Sequence, residues 1–556
     1  MRNKIDMNQL LKTTTILICA IFLFSGTITA QENIVVDVNT NGEQFDHFWS
    51  KCVGAGRANE ALRAGWLEQM DKVHKECGFE YVRFHGLFHE DMFPVFEKDG
   101  EMVYNWQYID DVFDRLLAMN VRPFVELAFF PKQFAAENSK TVFWWKAKVT
   151  PGPDFAKQWH DLINAFTQHV VDRYGMDEVL NWYFEVWNEP NLYPFFFHGT
   201  KSQYFELYKQ SALAVKSVDE RLKIGGPSTS NYVPDKRFDG EIINNEVSME
   251  VFKVEDINTL EWNGVWIEDF LKFCEKEKLP VDFVSTHPYP TDYAFNPETG
   301  KGRGLTRFVP STKNDIEWLY KIIKESAYPN AEIHLTEWNT SPNSRDKMHD
   351  FLPPAAYIVK TNLDCIGLTH SLAFWTFTDI FEEKGGGASI FHGGFGMINY
   401  QGLVKPSYHA YRMLHHLGEE KLFKNDYLMV TKKSGNGKVV ALVYNYPDDY
   451  LDAVPSSIQR FNKIEDGEAK ELNLSLTALK PGTMFKIEVL DKDHGNIYNY
   501  WEKMGKPEPP SREQIKVMKK AAHHLKTELV TVDNDGNLNI TREISPWSLV
   551  LIEQVN

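Results

Sequence analysis

The stretch Trp182-Tyr-Phe-Glu-Val-Trp-Asn-Glu-Pro190 reads as a strand buried on both faces. Its apolar residues run on without strict alternation, as they do in parallel sheets covered on both sides. Pro190, which lacks a backbone N–H, marks its end. Asn188 and Glu189 therefore stand at the strand's C-terminal mouth. Period-two alternation would turn them to opposite faces, so both reach one cleft only if the strand bulges or ends there. A carboxylate in this place, beside Trp187, is costly unless it is paired or used.

Seven more such runs lie at 52–56, 81–85, 122–128, 222–226, 282–287, 332–337 and 372–377. Helix-length segments at 108–119, 154–174, 203–218, 266–277 and 315–326 separate them. Eight βα repeats predict an α/β chain with a (β/α)8 barrel over residues 49–415. Catalytic groups of this architecture sit at the C-terminal ends of the strands. That rule selects Glu189 on the fourth strand and Glu337 on the seventh, in Ile333-His-Leu-Thr-Glu-Trp338.

Beyond the barrel, residues 416–556 read as an antiparallel β-sandwich, with strands at 427–431, 438–446, 471–476, 485–490 and 547–552. Segments 529–532 and 538–540 flank Asp535-Gly536 and predict a hairpin. A helical insertion is expected near 495–527, where Ser511 and Gln514 have capping-box spacing. Residues 31–48 supply a strand expected to join the sandwich.

Residues 1–30 have a basic start (Arg2, Lys4, Lys12), an apolar run over 16–24 and a small or polar end at Ala30, the layout of a secretory signal peptide. The run is too short to span a bilayer comfortably, and no later segment approaches about 18 apolar residues, so no membrane span is expected in the mature chain, which is placed in the periplasm or outside a bacterial cell. The 556 residues are 43% hydrophobic and 25% charged, which excludes a disordered chain. A net charge of −17 repels phosphate backbones and argues against a nucleic-acid partner. Aromatic residues make up 14% of the chain, enough to fill a core and also to line a sugar-binding cleft.

No CxxC pair is present, so Cys52, Cys77, Cys274 and Cys365 are read as buried free thiols. His85 and His89 have i, i+4 spacing but no third ligand, and no metal site is expected. The glycine runs 385–387 and 393–394 lack phosphate-loop order, and no cofactor is expected. Glu126 and Glu185 lie within strands and read as barrel ion pairs. Asn339, Asn473 and Asn539 begin N-glycosylation sequons, the first of them next to the Glu337 site.

Two carboxyl groups across a cleft are the equipment of glycoside hydrolysis. One protonates the leaving oxygen, and the other attacks the anomeric carbon or activates water. Asn188-Glu189-Pro190 and Glu337-Trp338 resemble the large clan of retaining glycosidases built on this barrel. More closely, the chain resembles glycoside hydrolase family 39. The similarity runs through Tyr81-Val-Arg-Phe-His-Gly86, Lys140-Thr-Val-Phe-Trp-Trp145, Ser285-Thr-His-Pro-Tyr-Pro-Thr-Asp292, Phe374-Trp-Thr-Phe-Thr-Asp-Ile-Phe-Glu-Glu383 and, in the appended region, Trp501-Glu-Lys-Met-Gly505.

The resemblance implies an exo-acting retaining enzyme, a β-D-xylosidase acting on xylo-oligosaccharides, with Glu189 as acid/base and Glu337 as nucleophile. It implies that Asn188 contacts the sugar 2-hydroxyl, that Tyr289 donates to Glu337 and that Trp375 lies under the ring. His85, His287 and Glu382 match family positions that contact the sugar or orient the nucleophile. Other specificities of the family remain open at this level: α-L-iduronidase-like, arabinosidase, glucosidase or galactosidase. For an iduronate carboxylate, Arg57, Arg83 or Arg303 could supply the cation. A catalytically silent glycan-binding protein is the alternative of another class, and the oligomeric state is left open.

Overall fold

The computed structural model describes residues 33–234, 240–241, 256–291, 306–457 and 467–555. The leader read at 1–30, Arg303 and Asp292 lie outside the described residues. Eight parallel strands close into a barrel in chain order: Cys52–Arg57, Tyr81–His85, Arg122–Leu127, Tyr183–Val186, Lys223–Ser230, Phe283–His287, Glu332–Trp338 and Ser371–Phe374. The eighth strand returns to the first through Phe374 opposite Val53. The protein is thus an α/β chain built on a (β/α)8 barrel, as the strand pattern predicts. Helices follow the strands around the outside, from Ala64–Cys77 to Pro406–His416. Local chemistry sets their ends. A Thr200–Gln203 capping box starts Lys201–Val218. Gly78, at φ 79°, ends the first helix, where a Cβ would lie 2.2 Å from the His415 ring.

Alternation along the strands builds the barrel interior in layers. The lowest is apolar: Cys52, Tyr81, Phe124, Tyr183, Phe283 and Ala373 form one cluster. Two residues further along, Arg83, Glu126 and Glu185 make an ionic layer, all fully buried. Another two residues on, His85 and His287 reach the mouth. The interior therefore passes from dry to charged within four residues of strand.

The rest of the chain forms two packed sheets. A seven-stranded sheet runs in the order Glu43–Gln44, Glu420–Lys424, Leu428–Lys432, Val439–Tyr444, Leu549–Gln554, Met484–Leu490, Lys526–Thr531. A three-stranded sheet holds Ile34–Asp37, Lys470–Thr477 and Leu538–Ile544. Ile34, Leu474 and Ile540 from the smaller sheet meet Val430, Ala441, Ile487 and Ile552 from the larger one in one apolar core. The other face of the larger sheet joins the barrel's hydrophobic core through Met429, Leu442 and Leu551. The central strand Val439–Tyr444 is accordingly buried at every residue.

One expectation fails. Lys526–Thr531 and Leu538–Ile544 are not a hairpin: the first pairs with Met484–Leu490 and the second with Lys470–Thr477, in different sheets. The turn itself forms, with the Asp533 N–H donating to the Asn537 carbonyl at 2.9 Å. Val530 and Val532 pack on the shared core from one side, and Leu538 and Ile540 pack on it from the other. Separating the two strands covers that core on both faces, which pairing them would not do. The helical insertion comprises Ile497–Lys503 and Arg512–Ala522, the latter started by the Ser511–Gln514 capping box. Trp501 and Tyr498 seat it on Phe391 of the barrel.

Candidate active site

The fourth barrel strand ends at Val186, and Trp187 (φ 72°) and Glu189 (φ 46°) then adopt left-handed backbone. This break in alternation brings Asn188 and Glu189 to the same cleft. The Glu189 N–H donates to the Ser228 carbonyl at 2.8 Å, which pins the turn to the fifth strand. The seventh strand solves the same problem differently. Its register against the eighth shifts between Leu335 and Trp338. Thr336 and Glu337 can then both meet interior residues: Thr336 Oγ1 reaches Glu185, and Glu337 reaches Arg83.

Glu189 and Glu337 face each other. One oxygen of each and a ring nitrogen of His287 all lie within 4.8 Å of one another. A cation could fit such a trio, but these atoms already have partners in the protein. Arg83 Nη1 donates to Glu337 Oε1 at 2.8 Å, and Tyr289 Oη donates to Oε2 at 3.0 Å. His287 Nδ1 is 2.9 Å from Glu189 Oε1. His85 Nε2 lies 3.7 Å from Glu337, while its Nδ1 bonds Glu126 at 2.7 Å. Asn188 Oδ1 accepts from Arg83 Nη2 at 2.9 Å. Trp375 packs on His85, ring centres 4.8 Å apart. Gly54 admits it, since a Cβ there would lie 2.3 Å from the indole.

Arg83 organises the site. Its guanidinium bridges Glu126, Glu185 and Glu337 and is fully buried. Burial opposes its charge, yet the three carboxylates hold it protonated more firmly than usual. Burial pushes Glu189 up to about 7, and a Ser230 hydrogen bond offsets this only in part. Burial also raises Glu337, with His287 and Arg83 drawing it down and Glu189 drawing it up. Burial depresses His85 and His287 to about 4, so both rings are neutral near pH 7.

A family model described as glycosyl hydrolases family 39 matches residues 32–255 and 261–539. The chain belongs to glycosyl hydrolases family 39. It is 34% identical over 529 residues to a β-xylosidase of Geobacillus stearothermophilus, covering 93% of this chain and 95% of that one. Among solved structures, a GH39 enzyme from Xanthomonas axonopodis pv. citri superposes with a TM-score of 0.80 at 29% identity, covering 96% of this chain and 99% of that one. A monomeric β-xylosidase from Caulobacter crescentus CB15 gives a TM-score of 0.78 at 29% identity, covering 94% and 99%.

The six residues singled out in this family 39 sequence beside Glu189 and Glu337 do not all gather equally. His85, Asn188, His287, Tyr289 and Trp375 cluster around Glu189 and Glu337. Glu382 stands apart: its oxygens each accept from a guanidinium, Arg57 and Arg63, both at 2.7 Å. Despite its burial, these partners hold it below the usual carboxylate range. The carboxyl of its neighbour Glu383 is raised well above the usual range, by desolvation and then by the charges of Glu337 and Glu189. The signal for Glu383 was the doubled acid itself, after the eighth strand, and sequence offers no way to choose between adjacent residues on an irregular loop. Arg83, which the sequence offers only as a cation for a uronate, instead binds three carboxylates, and Thr336 joins the site without a sequence signal of its own. Arg83 was legible from alternation with His85, but Thr336 was not, because it depends on the register shift. Asn339 is buried and donates to the Trp375 carbonyl at 2.6 Å, so its sequon is closed to a glycan in the folded chain.

Proposed function

We propose that this family 39 glycoside hydrolase is an exported, retaining exo-β-D-xylosidase that releases xylose from xylo-oligosaccharides. The observation that carries the mechanism is the approach of Glu189 to Glu337, with nearest oxygens within 4.8 Å. Retaining enzymes hold their two carboxyl groups about 5–5.5 Å apart, whereas inverting ones need about 6.5–9.5 Å to admit a water. Two β-xylosidases at about a third identity over most of the chain support the substrate class.

In this reading Glu189, protonated near neutral pH, gives its proton to the leaving oxygen. Glu337, held between the Arg83 and Tyr289 donors, attacks the anomeric carbon and becomes a glycosyl ester. Its charge then disappears, Glu189 loses a repelling neighbour, and its carboxylate takes a proton from the incoming water. Arg83 occupies the Asn188 oxygen, which leaves the amide NH2 to donate to the sugar 2-hydroxyl. Trp375 beside His85 forms the floor of the pocket. Two of the three candidate cations for an iduronate are engaged, Arg83 by three carboxylates and Arg57 by Asp91 and Glu382, which weighs against an iduronate site. Export rests on the leader pattern at 1–30. Among the described residues no helix is long and apolar enough to cross a membrane.

Nitrophenol release across aryl β-D-xyloside, α-L-iduronide, α-L-arabinoside and β-D-glucoside tests the substrate. Selectivity for the xyloside is expected, selectivity for another sugar overturns the specificity, and silence across the panel favours the glycan-binding alternative. Glu337→Ala tests the mechanism. It is expected to lower kcat on the order of 10^4-fold or more, with azide restoring turnover to the inverted α-glycosyl azide. Full activity in that variant removes the nucleophile assignment.

A further inference from the structure

A chain of hydrogen bonds runs behind Glu189 and has one consistent direction. It starts at Glu185, which sits against the Arg83 guanidinium. Burial would raise this carboxyl, but Arg83 and its other partners hold it below the usual range, so it is ionised and can only accept. Thr336 Oγ1 therefore donates to Glu185 Oε1, at 2.7 Å. A hydroxyl has one proton, and this contact uses it. The 3.2 Å contact between Thr336 Oγ1 and His287 Nε2 must then be donated by the ring. A neutral imidazole also carries one N–H, so Nδ1 is left as a lone pair. That lone pair lies 2.9 Å from Glu189 Oε1. Only the protonated form of Glu189 satisfies it.

We infer that Thr336 is a positioning residue that fixes His287 as the Nε2–H tautomer, so that His287 Nδ1 accepts a hydrogen bond from the protonated Glu189 carboxyl between turnovers. This rests on the acid/base reading of Glu189. The same lone pair helps in both half-reactions. It holds the acid protonated and aimed before the first step. Once Glu189 has ionised, the lone pair faces its carboxylate and raises its affinity for the proton of water. The other charged or titratable groups around the His287 ring come from four further strands, Glu126 on the third among them. Glu337 Oε2 lies 3.8 Å from Nδ1, and Arg83, Glu185 and His85 act on the ring at longer range. None of them offers a hydrogen bond to Nε2 that could replace Thr336, among the contacts the described residues make.

Thr336→Val removes the acceptor on Nε2 and opens the other tautomer, whose Nδ1–H stabilises the Glu189 carboxylate. The expected result is an alkaline limb of kcat/KM, on an aryl β-D-xyloside, moved down by about one pH unit, with Thr336→Ser restoring it. A limb that stays in place in a folded Thr336→Val enzyme overturns the proposal, since loss of packing alone lowers rate without moving the limb. Nitrogen-15 NMR of the histidine-labelled wild-type enzyme, with the ring assigned through His287→Gln, reads the tautomer directly. An unprotonated Nδ1 and protonated Nε2 are expected, and the reverse overturns the proposal even if the valine variant fails to fold. The spectrum reads the relay independently of catalysis. Unchanged kinetics of Glu189→Ala on poor and good leaving groups would instead remove the acid/base reading alone.

Discussion

The protein has two interiors built on opposite terms. The sandwich core is apolar throughout, from Ile34 and Leu474 on one sheet to Ile487 and Ile552 on the other. The barrel interior above its first layer holds Arg83, Glu126, Glu185, Glu189 and Glu337, each 6% exposed or less. Dry packing stabilises in proportion to the apolar area it hides. Buried charge does not: taking ions from water costs several kcal/mol each, and only close, complete pairing repays it. In the proposed function the barrel accepts that cost because its charges orient a reaction. The sandwich has no such task, and its central sheet is covered by the small sheet on one face and by the barrel on the other.

Breaking each interior should separate the two logics. Arg83→Met is expected to have the largest effect. It strands three carboxylates, lowers stability by about 3–5 kcal/mol in calorimetric unfolding, and removes activity even in molecules that remain folded. A variant of wild-type activity would show that the ionic layer does not organise the site. Ile552→Ala opens a cavity in the fully buried sandwich core and is expected to cost about 2–5 kcal/mol, with kcat/KM unchanged below the melting temperature. A fall in kcat/KM at low temperature would mean that the sandwich transmits to the site.

The smallest perturbation is pH. Glu189, raised to about 7 by burial, must be protonated to act as acid, so kcat/KM should fall as pH rises through about 7. Glu337 must be ionised, and because burial raises it as well, the acid limb should lie above the ordinary glutamate range. A rate that stays flat from pH 6 to 9 would contradict the assignment of Glu189.

Much of this plan was legible in the residues. Apolar strands at regular intervals define the barrel, and the strand-end rule finds Glu189 and Glu337 without any coordinates. Even the need for a break beside Glu189 follows from alternation, and the positive φ at residues 187 and 189 supplies it. Other features depend on which element lies opposite. The Asp535-Gly536 turn forms as its residues dictate, but the core between the sheets decides that its flanking strands part. Glu382 and Glu383 are chemically identical neighbours, and only the fold sets Arg57 and Arg63 against the first.

The sequence by itself determined the barrel, the strand ends and the two carboxyl groups, because these follow from hydrophobic pattern and local backbone chemistry. Tertiary structure alone decided how close those carboxyl groups come, that Arg83 bridges three acids, and that Thr336 and Glu337 both meet interior partners. Those facts depend on barrel closure and on a register shift between strands far apart in the chain. A pKa, likewise, belongs to the surroundings of a side chain: Glu189 is an ordinary glutamate until burial in this cleft makes it an acid near neutral pH.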